Sequence, residues 1–284
     1  MKFYSPLRYP GGKNKLSKFV ASICIKNNIN GHYVEPYAGG ASVSLYLLIN
    51  GYVKEITIND LDNAIYAFWY SVLYDTDRLC NKIKNTDITI NNWKKQKEIH
   101  KNKDNENDLL KLGFATLFLN RTNYSGIIDG GMIGGINQTG DYKIDCRFNK
   151  KEIIERIKLI AQHKKSINLY NDDALKLIKR VQKKDTDNTI FYFDPPYYLK
   201  GPSLYMSHYK YDDHKEVSEE IQKIKNINWI VSYDNTPAIK KLYIDSKKKE
   251  YSFFHTAYEI REGKEILFFS KGLKIPRVLE PTKM

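Results

Sequence analysis

Short apolar runs typical of strands alternate with helix-like segments along most of the chain, and this alternation limits the possible folds more than any other feature. The strand-like runs end at polar or turn-forming residues and cover residues 32–35, 55–58, 166–170, 189–193 and 228–232. The helix-like segments, with apolar residues at helical spacing, are 41–50, 61–74, 151–163, 173–184 and 214–225. Strands that alternate with helices in this way predict an α/β fold with a doubly wound sheet.

The C-terminal part of the chain predicts a β-hairpin at the far end of this sheet. Residues 251–256 and 265–270 have strand character, and residues 261–264 between them, Arg-Glu-Gly-Lys, are typical of a turn. Ligands bind at the carboxyl edge of an open α/β sheet. The polar residues that end the predicted strands are therefore candidates for a binding site.

One connection is too long for a simple crossover. The second and third predicted strands are separated by about a hundred residues, whereas a crossover between parallel strands needs only about a dozen. We therefore predict that residues 75–148 form an inserted domain and that residues 1–74 and 149–284 form the main domain. Residues 109–119 are strongly apolar and are expected to pack on the core.

The charge balance favours an anionic partner. The chain carries 46 Lys and Arg against 33 Asp and Glu, a net charge of +13, which favours nucleic acid, although a basic protein from an AT-rich genome would have a similar composition. The apolar runs are too short to span a bilayer, and the first residues lack a secretory signal. Three widely spaced cysteines and six histidines show neither a disulfide pattern nor metal-ligand spacing. We expect a cytoplasmic protein without a metal or a membrane partner.

The strongest local signal follows the fourth predicted strand, where the chain continues as Asp194-Pro195-Pro196-Tyr197. The prolines fix φ and remove two backbone donors, so the Asp194 carboxylate and the Pro195 carbonyl remain as acceptors in a rigid turn. Two acceptors beside an aromatic ring suit a planar ligand that carries an exocyclic amino group. The alternative is an ordinary turn after a strand, with a buried tyrosine.

Three other segments have features of ligand sites. Residues 35–40, Glu-Pro-Tyr-Ala-Gly-Gly, link the first strand to a helix, and glycines there let a ligand approach the backbone. Asp60 ends the second strand, where an acid can accept hydrogen bonds from ribose hydroxyls. The alternative is that Asp60 caps the helix predicted from Leu61. Residues 9–13, Tyr-Pro-Gly-Gly-Lys, are by themselves a common β-turn.

Taken in order, residues 9–13, 35–40, 59–60 and 194–197 resemble the motifs of the Dam-type DNA adenine-N6 methyltransferases, the α-class or D12 class. Residues 119–126, Leu-Asn-Arg-Thr-Asn-Tyr-Ser-Gly, resemble the N-R-T-x-x-x-G element of that family. The resemblance extends from Tyr9 to Ser270. It implies a Rossmann-like sheet of the S-adenosylmethionine-dependent methyltransferases with a C-terminal β-hairpin, and a mostly helical target-recognition domain inserted at residues 75–148.

The resemblance also implies roles for individual residues. Asp194, Pro195 and Tyr197 match the catalytic turn. The residues matched to the cofactor, S-adenosyl-L-methionine, are Tyr9, Lys13, Glu35, Ala38, Gly39, Gly40, Asp60, Asp172, Asp173 and Asp194. Either Asp172 or Asp173 corresponds to the acid near the cofactor adenine, and the doubled aspartate leaves both possible.

Basic and polar side chains of the inserted segment suit contacts to phosphates and base edges. The residues predicted to contact DNA are Arg121, Asn123, Tyr124, Asn137, Lys143 and Arg147. Arg121 is the first choice for a contact near the methylated base. Residues 127–138 differ from the corresponding stretch of the Dam enzymes, so the resemblance does not give the target sequence.

The implied function is the transfer of a methyl group from S-adenosylmethionine to N6 of an adenine flipped out of double-stranded DNA. The implied setting is the cytoplasm of a bacterium or of a phage-infected cell, with a cognate restriction endonuclease as a functional partner. One alternative is an RNA adenine-N6 methyltransferase, although the recognition-type insertion favours DNA. The other is a non-catalytic nucleic-acid-binding protein with the same fold, and the intact turn at residues 194–197 argues against it.

Overall fold

The computed structural model describes residues 3–8, 13–183, 188–198, 209–255, 261–278 and 280–284. Within these residues, seven strands form one sheet in the order β3-β2-β1-β4-β5-β7-β6. The strands are β1 (His32–Glu35), β2 (Glu55–Asn59), β3 (Ile167–Tyr170), β4 (Thr189–Phe193), β5 (Asn228–Asp234), β6 (Lys247–His255) and β7 (Arg261–Phe269). The predicted α/β fold with its C-terminal hairpin is confirmed.

The direction of the strands determines which edge of the sheet can hold a ligand site. β1 pairs in parallel with β2 on one side and with β4 on the other, so the chain order reverses at β1. The carboxyl ends of these three strands meet at one edge of the sheet, next to this switch point. The hairpin closes the far end of the sheet, because β7 is antiparallel to both β5 and β6.

The predicted position of the hairpin turn is wrong. Arg261 pairs with His255 and Lys264 pairs with Ser252, so the residues expected to form the turn lie inside β7. Gly263 opposes Phe253 within the ladder. A glycine flanked by charged residues resembles a turn in sequence, but the cross-strand hydrogen bonds continue through it. The connection falls at residues 256–260, outside the described part of the chain.

Ten α-helices lie in the described ranges. They are α1 (Ser17–Lys26), α2 (Ser42–Ile49), α3 (Asn63–Tyr74), α4 (Thr76–Asn85), α5 (Ile90–Lys101), α6 (Leu109–Thr122), α7 (Lys150–Gln162), α8 (Ala174–Gln182), α9 (Tyr211–Gln222) and α10 (Pro237–Leu242). The five helices predicted from the apolar spacing are present, with ends that differ by at most three residues. Among the described helices, none combines the length and the apolar character that crossing a membrane requires.

Apolar side chains cover both faces of the sheet. Along β4, Ile190 and Tyr192 belong to one buried cluster, whereas Phe191 and Phe193 belong to the cluster on the opposite face. This alternation is expected for a strand whose successive side chains point to opposite faces. The doubly wound arrangement therefore follows from strands that are apolar on both sides.

The long insertion contributes α4, α5, α6 and the loop that leads to α7. α6 packs directly against α3, where the Thr116 hydroxyl donates to the carbonyl of Ala64 (3.1 Å) and the Ser71 hydroxyl donates to the carbonyl of Leu109 (3.1 Å). Phe114 and Phe118 of α6 join the main core, as expected from the apolar character of residues 109–119. The division into two domains at residues 75 and 148 stays a prediction.

The crossing of α3 and α6 depends on Gly113. A Cβ at this position would lie 2.4 Å from the Ala67 carbonyl oxygen and 2.5 Å from Ser71 Oγ, so the helices approach too closely for a methyl group. We expect Gly113→Ala to lower the free energy of unfolding by about 1–3 kcal/mol through overpacking. Denaturant unfolding measures this change. Gly131→Ala is the control, because a Cβ there meets no atom within 4 Å. Equal stability of the two variants would show that the helices can separate at no cost.

Candidate active site

The loop between β1 and α2 is fixed to the end of β2. The Ala38 N–H donates to the carbonyl of Asn59 (2.8 Å), and the Gly39 N–H donates to Asp60 Oδ2 (2.9 Å). Trp69 Nε1 donates to the Gly39 carbonyl (2.9 Å) from α3. Gly39 has a positive φ angle of 44°, which glycine adopts without strain. Ala41 also has a positive φ angle, 47°, a conformation that is uncommon for a residue with a Cβ atom. The loop predicted to hold the cofactor is therefore rigid before any ligand binds.

Asp60 is an acceptor anchored by two backbone donors. Besides the Gly39 contact, its Oδ1 accepts from the Asp62 N–H (3.0 Å). The alternative role of helix cap is wrong for Asp60, because the carboxylate that accepts from the Ala64 N–H at the start of α3 belongs to Asp62. Burial raises the pKa of the Asp60 carboxyl to about 6. Each oxygen keeps a lone pair that a ligand hydroxyl can use.

Glu35 is buried at the end of β1, with the Ser44 hydroxyl donating to its Oε2. Burial is the main reason that the pKa of Glu35 is raised to about 8, and the nearby Asp194 carboxylate raises it further. At neutral pH, Glu35 therefore carries a proton in most molecules and can act as a donor as well as an acceptor.

The end of β3 joins the same edge through Asn59. Its side-chain amide donates to the carbonyls of Pro36 and Asp172 (both 2.9 Å) and accepts from the Asp172 N–H (2.9 Å). The two adjacent aspartates have different structural roles. Asp173 caps α8 by accepting from the Leu175 N–H (2.9 Å), and Asp172 forms an ion pair with Arg180 (2.8 Å). Which of them contacts the cofactor adenine stays a prediction.

The turn after β4 is held by contacts from both neighbouring segments. The Asp194 carboxylate accepts from the Ser232 hydroxyl of β5 at Oδ1 (2.7 Å) and pairs with Lys13 Nζ at Oδ2 (3.0 Å). The Tyr198 N–H donates to Asp234 Oδ1 (3.0 Å), which fixes the other end of the turn. Burial raises the pKa of Asp194, and the Lys13 ammonium opposes this effect.

Lys13 and Tyr197 belong to a buried network that reaches the hairpin. Lys13 Nζ donates to the Tyr197 hydroxyl (2.5 Å) and lies 3.6 Å from Glu265 Oε1. Glu265 accepts from the hydroxyl of Tyr197 through Oε1 and from the hydroxyl of Tyr251 through Oε2. Lys13, predicted near the cofactor, thus contacts Asp194 and Tyr197 of the turn predicted to be catalytic. Tyr9, the other predicted residue of the N-terminal turn, lies outside the described residues.

Sequence reasoning missed Ser232 and Glu265. Both could have been recognised in the sequence, because Ser232 ends one predicted apolar strand and Glu265 begins another. A polar side chain in a buried strand needs a partner, and here the partner is in the site.

Two residues predicted to contact DNA are buried instead. The Arg121 guanidinium donates through Nε (2.6 Å) and Nη2 to the carbonyl of Pro6, and Nη1 donates to the carbonyl of Arg147 (3.4 Å). The Asn123 side chain is 0% exposed and bonds the backbone of the following loop, including the carbonyls of Ile128 (2.8 Å) and Gly130 (3.1 Å). Both predictions are corrected, because these polar groups satisfy buried backbone atoms and do not face a partner.

The other four predicted residues are exposed on the loop that follows α6: Tyr124, Asn137, Lys143 and Arg147. Tyr124 is 41% exposed, and its hydroxyl accepts from the Gly134 N–H (3.1 Å). Lys143 Nζ donates to the carbonyls of Gln138 (2.7 Å) and Gly140 (2.9 Å), which shapes the loop.

A basic residue that sequence reasoning left unassigned, Arg8, lies near Arg147. Burial is the main cause of a lowered pKa of Arg8, and the nearby Arg147 charge lowers it further. Arg8 Nη1 is buried without a hydrogen-bond partner. This arrangement would favour an anion placed between the two side chains.

Sequence comparison defines the class of protein. The model of the family "D12 class N6 adenine-specific DNA methyltransferase" matches residues 9–257. Because this match covers most of the chain, the protein belongs to that family and is an enzyme that methylates N6 of adenine in DNA. Within the described residues, no group of three or more His, Cys, Asp or Glu is arranged to hold a metal ion.

A curated relative supports the same class. The Type II methyltransferase M.MjaIII of Methanocaldococcus jannaschii is 25% identical over 222 residues, which are 72% of this chain and 73% of the relative. Among solved structures, the rRNA methyltransferase aviRa from Streptomyces viridochromogenes is 8% identical with a TM-score of 0.34, covering 88% of this chain and 83% of its own. Protein LPL1258 from Legionella pneumophila is 10% identical with a TM-score of 0.33, covering 94% of this chain and 85% of its own. These TM-scores are too low to assign a function from either structure.

The positions of Arg121 and Arg147 predict that substitution by alanine lowers the stability of the protein at Arg121 but not at Arg147. Arg121→Ala leaves a buried carbonyl without its donor, so we expect the free energy of unfolding to fall by about 2–3 kcal/mol. Arg147→Ala removes an exposed side chain, and its stability should be unchanged. If Arg147 contacts a phosphate, the slope of log K for DNA against log salt should become shallower by about 0.9 when this one charge is removed. Denaturant unfolding and DNA titrations at several salt concentrations measure both effects. A stable Arg121→Ala protein with altered DNA affinity would reinstate Arg121 as a residue that binds DNA.

Proposed function

We propose that the enzyme transfers the methyl group of S-adenosylmethionine to N6 of an adenine that has been flipped out of double-stranded DNA at a specific sequence. The observation that carries this proposal is the position of Asp194, Pro195 and Tyr197. They follow β4 at the switch point of the sheet, beside the rigid loop that joins β1 to α2. A cofactor on that loop and an adenine at the turn would face each other.

The residues of the cofactor site fit a ligand with positive charge at one end and ribose hydroxyls at the other. The Asp194 carboxylate and the Glu35 carboxyl lie near a single described ammonium, Lys13, and Asp60 offers an anchored acceptor at the end of β2. When bound, S-adenosylmethionine supplies an electrophilic methyl group on a sulfonium. We propose that the residues holding it are Lys13, Glu35, Ala38, Gly39, Gly40, Asp60, Asp194 and one of Asp172 and Asp173, with Tyr9 outside the described residues.

Asp194 has the hydrogen-bonding capacity that the reaction needs. The N6 lone pair of adenine is delocalised into the purine ring, and N–H hydrogen bonds to Asp194 and to the Pro195 carbonyl favour a tetrahedral nitrogen whose lone pair is free. Each Asp194 oxygen already accepts one hydrogen bond and keeps a second lone pair for N6. After methyl transfer, N6 carries a positive charge until one of its protons leaves. The Asp194 carboxylate can accept that proton and pass it to water, so positioning and electrostatics account for catalysis.

Tyr197 is our candidate for the residue that holds the extruded base. This residue is 3% exposed in the structure and Lys13 Nζ lies 4.8 Å from the ring centroid, so the base reaches the ring only when the surrounding side chains move aside. N6 is inaccessible within a stacked duplex, so the adenine must leave the helix before it can react. The Tyr197 hydroxyl is fixed by Lys13 and Glu265, which leaves the ring in one orientation beside the turn. We propose that the adenine packs against this ring.

The exposed loop after α6 is our candidate for the DNA interface, through Tyr124, Asn137, Lys143 and Arg147, together with Arg8. The net charge of +13 supports a polyanionic partner. The similarity to a protein named as a Type II methyltransferase supports a cognate restriction endonuclease as functional partner. We further propose that the enzyme acts in the cytoplasm of a bacterium or of a phage-infected cell.

Asp194→Ala tests the chemistry. The variant should lose methyl transfer while its DNA affinity stays close to that of the wild type, because the proposed phosphate contacts lie on other residues. The assay uses unmethylated double-stranded DNA of mixed sequence with labelled S-adenosylmethionine, and sequencing locates the modified adenines. Asp212→Ala, an exposed aspartate on α9, is the control. Methylation of RNA in place of DNA, or full activity of Asp194→Ala, would contradict the proposal.

Asp60→Asn tests the cofactor site. Loss of a charged hydrogen bond should weaken S-adenosylmethionine binding by about 1.5–3 kcal/mol. The Asp60 pKa of about 6 adds a dependence on pH. The ionised form, present above this pKa, is the better acceptor, so wild-type affinity should fall as the pH drops below it, whereas the asparagine variant should lack this dependence.

Calorimetry over this pH range measures both effects on cofactor affinity. Asp245→Asn, at an exposed position ahead of β6, is the matched control and should bind like the wild type. If Asp60→Asn keeps wild-type affinity at neutral pH, Asp60 does not contact the ribose.

A further inference from the structure

We propose that Glu265 of β7 is a positioning residue for methyl transfer, because it fixes the Tyr197 ring and shares the Lys13 ammonium with Asp194. This inference rests on the proposed function, since it assigns a task to Tyr197 and Asp194 in that reaction. Glu265 itself lies behind the catalytic turn and acts through its neighbours.

Strand pairing brings Glu265 to the turn. In the register of the sheet it opposes Asp234 of β5 on one side and Tyr251 of β6 on the other. Its side chain is 3% exposed, and its two oxygens accept from different tyrosine hydroxyls, Tyr197 and Tyr251. Because both oxygens are engaged, the carboxylate has a fixed orientation, and the Tyr197 hydroxyl is held at a fixed point.

A buried carboxylate is costly for the fold unless charged or hydrogen-bonding partners compensate it. The next residues of β7 on the same face, Leu267 and Phe269, are apolar and belong to the core. An apolar side chain at position 265 would therefore suit the strand. Apart from Tyr251, the partners of Glu265 belong to the site: Lys13 and Tyr197. This pattern favours a role at the catalytic turn over a role in stability.

The charges form a second link to Asp194. Lys13 Nζ lies 3.0 Å from Asp194 Oδ2 and 3.6 Å from Glu265 Oε1, so one ammonium serves two carboxylates. Other groups that affect Asp194 are Ser232 of β5, which donates to it, and Glu35 of β1 and Tyr192 of β4, whose own pKa values it raises. The negative charge of Glu265 raises the pKa of Asp194, whereas Lys13 lowers it. An excess of negative charge also favours the positive charge that develops on N6 during transfer.

The experiment separates charge from hydrogen bonding. Glu265→Gln keeps the shape and removes the charge. Tyr251→Phe keeps the charge and removes one of the two hydrogen bonds. Glu250→Gln, at an exposed position on β6, is the matched control for the change of charge. For each protein, kcat and KM are measured with unmethylated double-stranded DNA and S-adenosylmethionine across pH, together with the melting temperature.

For Glu265→Gln we expect kcat to fall by about 10- to 100-fold with unchanged KM values, because misplacement of a reacting group lowers the rate rather than the affinity. Removing a neighbouring negative charge lowers the pKa of Asp194, so the acidic limb of the kcat profile should move to lower pH. For Tyr251→Phe we expect a smaller loss of kcat and an unmoved acidic limb. Glu250→Gln should match the wild type.

Wild-type kcat and pH profile in Glu265→Gln would overturn the proposal, and so would a loss of kcat that merely follows a lower melting temperature without a shifted limb. If Glu265→Gln does not fold, the Tyr251→Phe variant tests the proposal. A wild-type kcat in Tyr251→Phe would show that the orientation of the Glu265 carboxylate does not affect the reaction and would overturn the proposal. Two outcomes are distinguishable. An inactive wild-type enzyme would contradict the proposed function itself. An active wild type with an equally active Glu265→Gln variant would contradict only the positioning role of Glu265.

Discussion

The buried ammonium of Lys13 is the interaction on which the organisation of the site depends. It connects three parts of the chain that are distant in sequence: the segment ahead of α1, the turn after β4 through Asp194 and Tyr197, and the hairpin through Glu265. A lysine this deeply buried is stable as a cation only with anionic partners, and the two carboxylates are equally costly without it. The Lys13 ammonium therefore stabilises both carboxylates against their mutual repulsion, and the turn is held in place before either substrate binds.

The second constraint is the meeting of strand ends at the switch point of the sheet. Strands β1, β2 and β4 run in parallel, so the residues that follow them lie at one edge of the sheet. Asn59 joins this edge into a unit, since its amide bonds the β1 loop at Pro36 and the β3 loop at Asp172. Asp60 is held by the N–H groups of Gly39 and Asp62. The loop between β1 and α2 is thus shaped by side chains at the end of β2 rather than by its own glycines alone.

The sequence predicted those parts of the structure that depend on local pattern. The strand at residues 189–193 matches β4 at both ends, because an apolar run followed by Asp194 and two prolines leaves no other boundary. Prediction failed where burial depends on distant parts of the chain. Arg121 lies in the last turn of α6 and resembles a surface arginine in sequence, yet the carbonyl of Pro6, 115 residues away, accepts from it in the interior. Glu265 was passed over for the same reason, since its partners become visible only when β6, β7 and the β4 turn are assembled. The prediction of the hairpin turn failed for a local reason, because Gly263 is compatible with both a turn and a strand.

The polar residues at the end of α6 tie the start of the exposed loop to the N-terminal segment. Asn120 accepts from the Arg8 N–H (2.7 Å) and donates to the carbonyls of Arg8 (3.1 Å) and Gly126 (2.8 Å). Gly126 approaches Arg8 so closely that a Cβ would lie 1.9 Å from the Arg8 carbonyl oxygen, and its φ of +77° also favours glycine. The start of the exposed loop and the N-terminal segment are therefore packed as one body. Only residues 9–12 separate that body from Lys13. Polar side chains at the end of α6 thus bind backbone groups in the interior and hold the exposed loop against the N-terminal segment.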